Sequence, residues 1–170
     1  MYVAAFPGDF ARASDLRSDA GNPGWIDGYF DYQRTGSIRS PYSVPCLDDL
    51  RRQASVVLVG YSRGGDLVAW LTTQLDNIAG VICYESPVHS VSVPSGEFPA
   101  CLVWNRDSRK AASQAATDAR FAWSMTGRHL TVLFGRGGHT KPVMRPRTLF
   151  RGHGWDVELN DLLGSWVLGL

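Results

Sequence analysis

The pentapeptide Gly60-Tyr61-Ser62-Arg63-Gly64 is the part of the sequence best suited to chemistry. A serine hydroxyl attacks a carbonyl only when a neighbouring base, typically an imidazole oriented by a carboxylate, removes its proton. The apolar run Val56-Val57-Leu58-Val59 ahead of it reads as a strand and the residues from Arg63 as a helix, so Ser62 falls on the turn between them. Glycines on both sides allow that turn to be sharp, and the head of the following helix directs backbone N–H groups toward developing negative charge. Two carboxylates come at the ends of strand-like runs: Asp107 after Cys101-Leu102-Val103-Trp104, and Glu85 after residues 80–83. Asp107 also fits as the cap of the helix that begins at Ser108. Asp66, in the first turn of the helix after Ser62, reads as a surface residue that offsets the helix dipole. Two histidines suit the base. His139 follows Gly135-Arg136-Gly137-Gly138, a run flexible enough to fold back, and His153 lies between Gly152 and Gly154 ahead of the last helix. His89 and His129 read as structural or solvent-exposed. Four scattered histidines lack the paired spacing of a metal site, so no metal and no cofactor are expected.

Those side chains need elements to hold them. Residues 2–6 are strand-like and stop at Pro7-Gly8, residues 10–20 suit a short helix, and residues 25–32 form an aromatic-rich strand after the turn Gly21-Asn22-Pro23-Gly24. Residues 33–46, rich in Ser, Pro and Gly, read as one long loop. Residues 48–53 suit a short helix and 55–59 the clearest strand. Leu67, Trp70, Leu71, Leu75 and Ile78 give residues 63–78 a helical apolar stripe. Further strands are expected at 80–83, 98–104 and 129–134. Helices are expected at 108–125, which lacks Pro and Gly and repeats Ala, and from 156 onward. This alternation predicts an α/β three-layer sandwich with a mostly parallel sheet of about six strands. No repeat or linker divides it, so one domain over 1–170 is expected.

The strand, the Gly-x-Ser-x-Gly turn and the helix together resemble the α/β-hydrolase superfamily, and the order of elements over residues 2–170 is similar to that family's, without its leading strands. The resemblance implies a minimal α/β-hydrolase fold with Ser62 as nucleophile and the Arg63 backbone N–H as one oxyanion donor. Residues 3–8 look like the family's preceding strand and oxyanion loop, with Pro7-Gly8 in place of His-Gly. That implies Asp9 or Phe10 as the second donor, and Phe10 is our choice. Asp107 resembles the family's acid, while Glu85 corresponds to members that carry the acid one strand earlier. His139 resembles the family's base, with His153 the competing position. The implied activity is a serine hydrolase, a carboxylesterase working through an acyl-enzyme on a small-molecule ester or thioester; a thioesterase or amidase would use the same groups. A non-catalytic binding or scaffold protein on the same fold is the rival reading. Phe10 and Tyr61, near predicted strand ends, suit an apolar substrate pocket. The short span between Glu85 and Phe98 leaves no room for a large lid, which favours a small or accessible ester.

Composition sets the outer bounds. The 170 residues are 44% hydrophobic and 19% charged, a folded globular balance. Seventeen basic against sixteen acidic residues leave a net charge of +1, which gives no electrostatic case for nucleic acid. Arg128, Arg136, Lys141, Arg145, Arg147 and Arg151 form a local basic stretch that reads as a solvated loop, with an acidic substrate, lipid headgroup or protein partner as the alternative. Cys46, Cys83 and Cys101 are too few for a disulfide scaffold, their odd number leaves at least one unpaired within the chain, and two of them lie inside apolar runs that suit a buried thiol. No apolar run is long enough to span a membrane, and the N-terminus lacks a basic leader, which favours a cytoplasmic location.

Overall fold

The computed structural model describes residues 1–8, 24–86, 97–105, 130–135 and 157–170. In chain order its elements are β1 (Tyr2–Phe6), β2 (Gly28–Tyr29), β3 (Gln33–Arg34), β4 (Tyr42–Ser43), α1 (Leu47–Arg52), β5 (Val56–Tyr61), α2 (Arg63–Leu71), β6 (Ile78–Tyr84), β7 (Ala100–Asn105), β8 (Leu130–Gly135) and α3 (Val157–Leu168). Six strands form one sheet in the order β2-β1-β5-β6-β7-β8, and every neighbouring pair in it is parallel. All the expected strands are present, and the mostly parallel three-layer design holds.

Each central strand is apolar on both faces because helices cover both. With a side-chain period of two, Ala4, Phe6, Leu58, Val81, Cys83, Leu102 and Trp104 fall on one face. Leu67, Val68 and Leu71 of α2, together with Leu50 of α1, cover them there. Val3, Ala5, Val57, Val59, Ile82, Cys101 and Val103 fall on the other face, under Leu163 and Val167 of α3.

Four expectations change. The second strand shrinks from 25–32 to Gly28–Tyr29, because the Asp27 carboxylate, where a ladder carbonyl would stand, accepts the Val3 N–H at 2.8 Å. The expected loop 33–46 contains the antiparallel hairpin β3/β4, which pairs Gln33 with Ser43 and Arg34 with Tyr42. Helix α2 stops at Leu71 rather than 78: the Thr72 and Thr73 hydroxyls donate back to the Ala69 and Trp70 carbonyls at 2.7 Å, and Ile78 already belongs to β6. Asp66 is buried rather than on the surface. The helices expected at 10–20 and 108–125 lie outside the described residues. Among the described residues no helix is long and apolar enough to cross a membrane.

Candidate active site

After β1 the chain passes to β2 on one side and then returns to β5 on the other side of β1. The carboxyl ends of β1 and β5 therefore flank the point where the winding reverses, the usual ligand crevice of an open parallel sheet. Phe6-Pro7-Gly8 leaves one strand there, and Tyr61-Ser62 leaves the other.

Ser62 joins β5 to α2 with φ 53° and ψ −119°, a left-handed conformation that side chains other than glycine rarely adopt. Its N–H donates to the Tyr84 carbonyl at 2.9 Å, so the turn is tied to the end of β6. Its carbonyl accepts from the Gly65 N–H at 3.1 Å. Ser62 is half-buried. The motif glycines follow from close contact. A Cβ on Gly60 would come within 2.4 Å of the Gly64 carbonyl oxygen, and one on Gly64 within 2.6 Å of the carbonyl oxygens of both Phe6 and Pro7. The first turn of α2 is thus pressed onto the backbone of β1 and β5, a spacing that admits no side chain.

Arg63 opens α2, where backbone N–H groups lack intrahelical acceptors, and its guanidinium pairs with Asp66 at 3.2 Å. The Asp66 carboxylate lies in the first turn, where the helix dipole favours negative charge. Tyr61 is buried, its ring centroid 6.1 Å from that of Tyr84. Burial, and then the nearby Glu85 carboxylate, raise its phenol pKa above the ordinary value.

Glu85 follows β6, is fully buried, and also has a positive φ, 49°. Its N–H donates to the Val103 carbonyl at 2.8 Å. Two non-glycine residues with left-handed backbones therefore end adjacent strands, Ser62 on β5 and Glu85 on β6. Ser86, fully buried, has its hydroxyl 2.9 Å from the Tyr84 carbonyl oxygen and 3.1 Å from that of Gly60. Nothing in the sequence singled out Ser86, because its partners are backbone carbonyls, one of them on the neighbouring strand β5.

Phe10, with Asp9, and Asp107, His139 and His153 lie outside the described residues, as do His89, His129 and the basic residues Arg128, Arg136, Lys141, Arg145, Arg147 and Arg151. The structure does place the strands that lead to two of them. Tyr61, Tyr84, Val103 and Leu133 share one register row, so β7 and β8 end on the same edge of the sheet as Ser62. Among the described residues no group of three or more His, Cys, Asp or Glu side chains gathers as metal ligands. A groove of about 490 Å³ lined by Thr72, Thr73, Asp76, Ile78, Glu97 and Phe98 opens at the opposite, amino edge, where β6 and β7 begin.

No protein-family model and no curated protein matches the sequence. Solved structures do. A predicted CIB-like hydrolase from Thermoplasma acidophilum superposes with a TM-score of 0.63 at 19% identity, over 99% of this chain and 86% of that one. Esterase B from Lactobacillus rhamnosis gives 0.66 at 13% identity over 99% and 76%. An esterase from Pyrococcus furiosus gives 0.66 at 9% identity over 99% and 82%. At these identities the likeness is one of fold.

Proposed function

We propose that this chain, which has the α/β-hydrolase fold, is a serine hydrolase that cleaves small or accessible carboxylic esters through an acyl-enzyme. The observation that carries the reading is Ser62: a half-buried serine with φ 53° and ψ −119°, between a central parallel strand and a helix, at the reversal of the winding.

In this reading Ser62 Oγ attacks the ester carbonyl carbon while a histidine takes its proton. The carbonyl oxygen becomes an oxyanion that accepts from the Arg63 and Phe10 backbone N–H groups. Collapse expels the alcohol, which takes the proton from the histidine and leaves the acyl group on Ser62. Water attacks that acyl group, the histidine accepts the water proton, and it returns a proton to Ser62 Oγ as the acid departs.

His139 is the base and Asp107 its carboxylate. Adjacent strands lie about 4.8 Å apart, so β8 ends about 14 Å from β5. The four residue steps from Gly135 to His139 span up to about 14 Å when extended, which is enough to bring the ring back. His153 is the competing base and Glu85 the competing acid. A specific observation favours keeping Glu85 in view: its buried carboxylate stands one strand from Ser62. Tyr61 and Phe10 contribute the apolar wall of the acyl site.

The test is a panel of short and long 4-nitrophenyl esters, a thioester and an anilide, with a fluorophosphonate as the serine probe. Wild-type protein is expected to hydrolyse the short esters and to be labelled at Ser62. Ser62→Ala is expected to remain folded and lose both properties. His139→Ala and Asp107→Asn should fall by about a thousandfold or more, with His153→Ala and Glu85→Gln close to wild type. Inactive His153→Ala beside normal His139→Ala would move the base. Retention of turnover by Ser62→Ala would end the reading of Ser62 as nucleophile, whereas wild-type protein that neither turns over the panel nor is labelled at Ser62 would favour a non-catalytic binding role.

A further inference from the structure

The segment that leaves β1 is held from three sides, and one of the holds comes from a distant side chain. The first turn of α2 packs beneath it, since a Cβ on Gly64 would meet the Phe6 and Pro7 carbonyl oxygens at 2.6 Å. Ser62 stands beside it: a Cβ on Gly8 would lie 3.0 Å from Ser62 Cβ and 3.5 Å from Ser62 Oγ. On the third side the Tyr32 hydroxyl donates to the Pro7 carbonyl at 3.0 Å across 25 residues of sequence.

We infer that Tyr32 is a positioning residue, which fixes the Pro7-Gly8 peptide against Ser62 and so sets the direction in which the oxyanion loop leaves β1. The argument rests on the reading of Ser62 as nucleophile. Proline has no N–H, so Gly8 carries the first backbone donor after the strand. The Pro7–Gly8 bond is trans, and in a trans peptide the C=O and the next N–H point opposite ways in one plane. Holding the Pro7 carbonyl on the Tyr32 side therefore turns the Gly8 N–H to the other side and fixes the plane of the peptide that stands beside Ser62. Glycine at position 8 leaves this peptide soft, and the hydroxyl restores its orientation without filling the crevice beside Ser62.

Tyr32 is well anchored for this. Its ring meets Phe6 edge-on at 6.5 Å and Tyr42 edge-on at 5.7 Å, and Tyr42 in turn packs at a tilt against Trp70 of α2, with ring centroids 5.7 Å apart. The ring is thus locked between the end of β1 and the hairpin, and α2 backs that hairpin. Tyr32→Phe keeps the ring contacts and removes only the hydroxyl.

The experiment compares wild type, Tyr32→Phe and Ser62→Ala on 4-nitrophenyl acetate. It adds a trifluoromethyl ketone, whose hemiketal with the serine puts an oxyanion in the hole, and fluorophosphonate labelling mapped by mass spectrometry. Tyr32→Phe is expected to lower kcat about tenfold, below the hundred- to thousandfold of deleting an oxyanion donor outright. KM should stay within about twofold, and the ketone Ki should rise by the same factor as kcat/KM falls, because both report the oxyanion. A kcat equal to wild type, or a lowered kcat with an unchanged ketone Ki, overturns the role of Tyr32 while leaving Ser62 as nucleophile. Failure of the wild-type protein to be labelled at Ser62 overturns both.

Discussion

Ser62 occupies a backbone region that costs a side-chain-bearing residue about 1–3 kcal/mol, and such strain persists only where the surroundings over-determine it. Here the Tyr84 carbonyl takes its N–H, its own carbonyl takes the Gly65 N–H, and Gly64 lets α2 close down on β1. The strain itself is measurable. Ser62→Ala keeps a Cβ at φ 53°, whereas Ser62→Gly removes it, so the glycine variant should be about 1 kcal/mol more stable in urea than the alanine variant, with both lacking turnover. An alanine variant more stable than the glycine variant would show that the turn is relaxed. At this scale Ser62 was legible because its motif is contiguous. Tyr32 was not, because its hydroxyl acts on a carbonyl 25 residues away. Asp66 was misread because first-turn acids usually face water, and its burial follows from how closely α2 presses on the sheet.

That press is a property of the element. Gly65 faces Ser86 at the end of β6, and a Cβ there would come within 2.2 Å of Ser86 Cβ. Gly65→Ala should therefore force α2 outward and cost about 1–3 kcal/mol, the usual range for overpacking a tight core. Ser86→Gly removes the opposing Cβ, so the double variant should recover part of that loss. A double-mutant cycle by urea denaturation should give a coupling of about 1 kcal/mol or more, whereas additive losses would mean that the two positions do not meet. Strands were the most legible elements, because central parallel strands are apolar on both faces and stand out as short uninterrupted runs such as Val56–Tyr61. Boundaries were less so. Leu75 and Ile78 continue the helical spacing of α2, yet Leu75 lies in the connection after the helix and Ile78 starts the next strand. The β3/β4 hairpin was hidden because its two pairs, Gln33–Ser43 and Arg34–Tyr42, carry no alternating apolar pattern.

Across the whole molecule the sheet separates two apolar layers, and three thiols report on both. Cys83 lies on the α2 face, Cys101 on the α3 face, and Cys46 at the head of α1 against the first layer. All are buried and free. Burial disfavours the thiolate, which pushes Cys46 up to about 11 and Cys101 up to about 12, and raises Cys83 further. In the unfolded chain each thiol ionises at about 8.5. Between that value and its folded pKa, a cysteine keeps its proton in the folded protein and loses it on unfolding. The unfolded state then binds fewer protons, so stability falls as pH rises, by up to about 1.4 kcal/mol per pH unit for each thiol. The full contribution is present below the unfolded pKa and is lost progressively above it. Urea denaturation at pH 8, 9 and 10 should show this decline, and Cys101→Ala should make it shallower by one thiol's share. A stability that stays level from pH 8 to 10 would mean that the thiols ionise in place, and the two-layer packing that buries them would have to be redrawn.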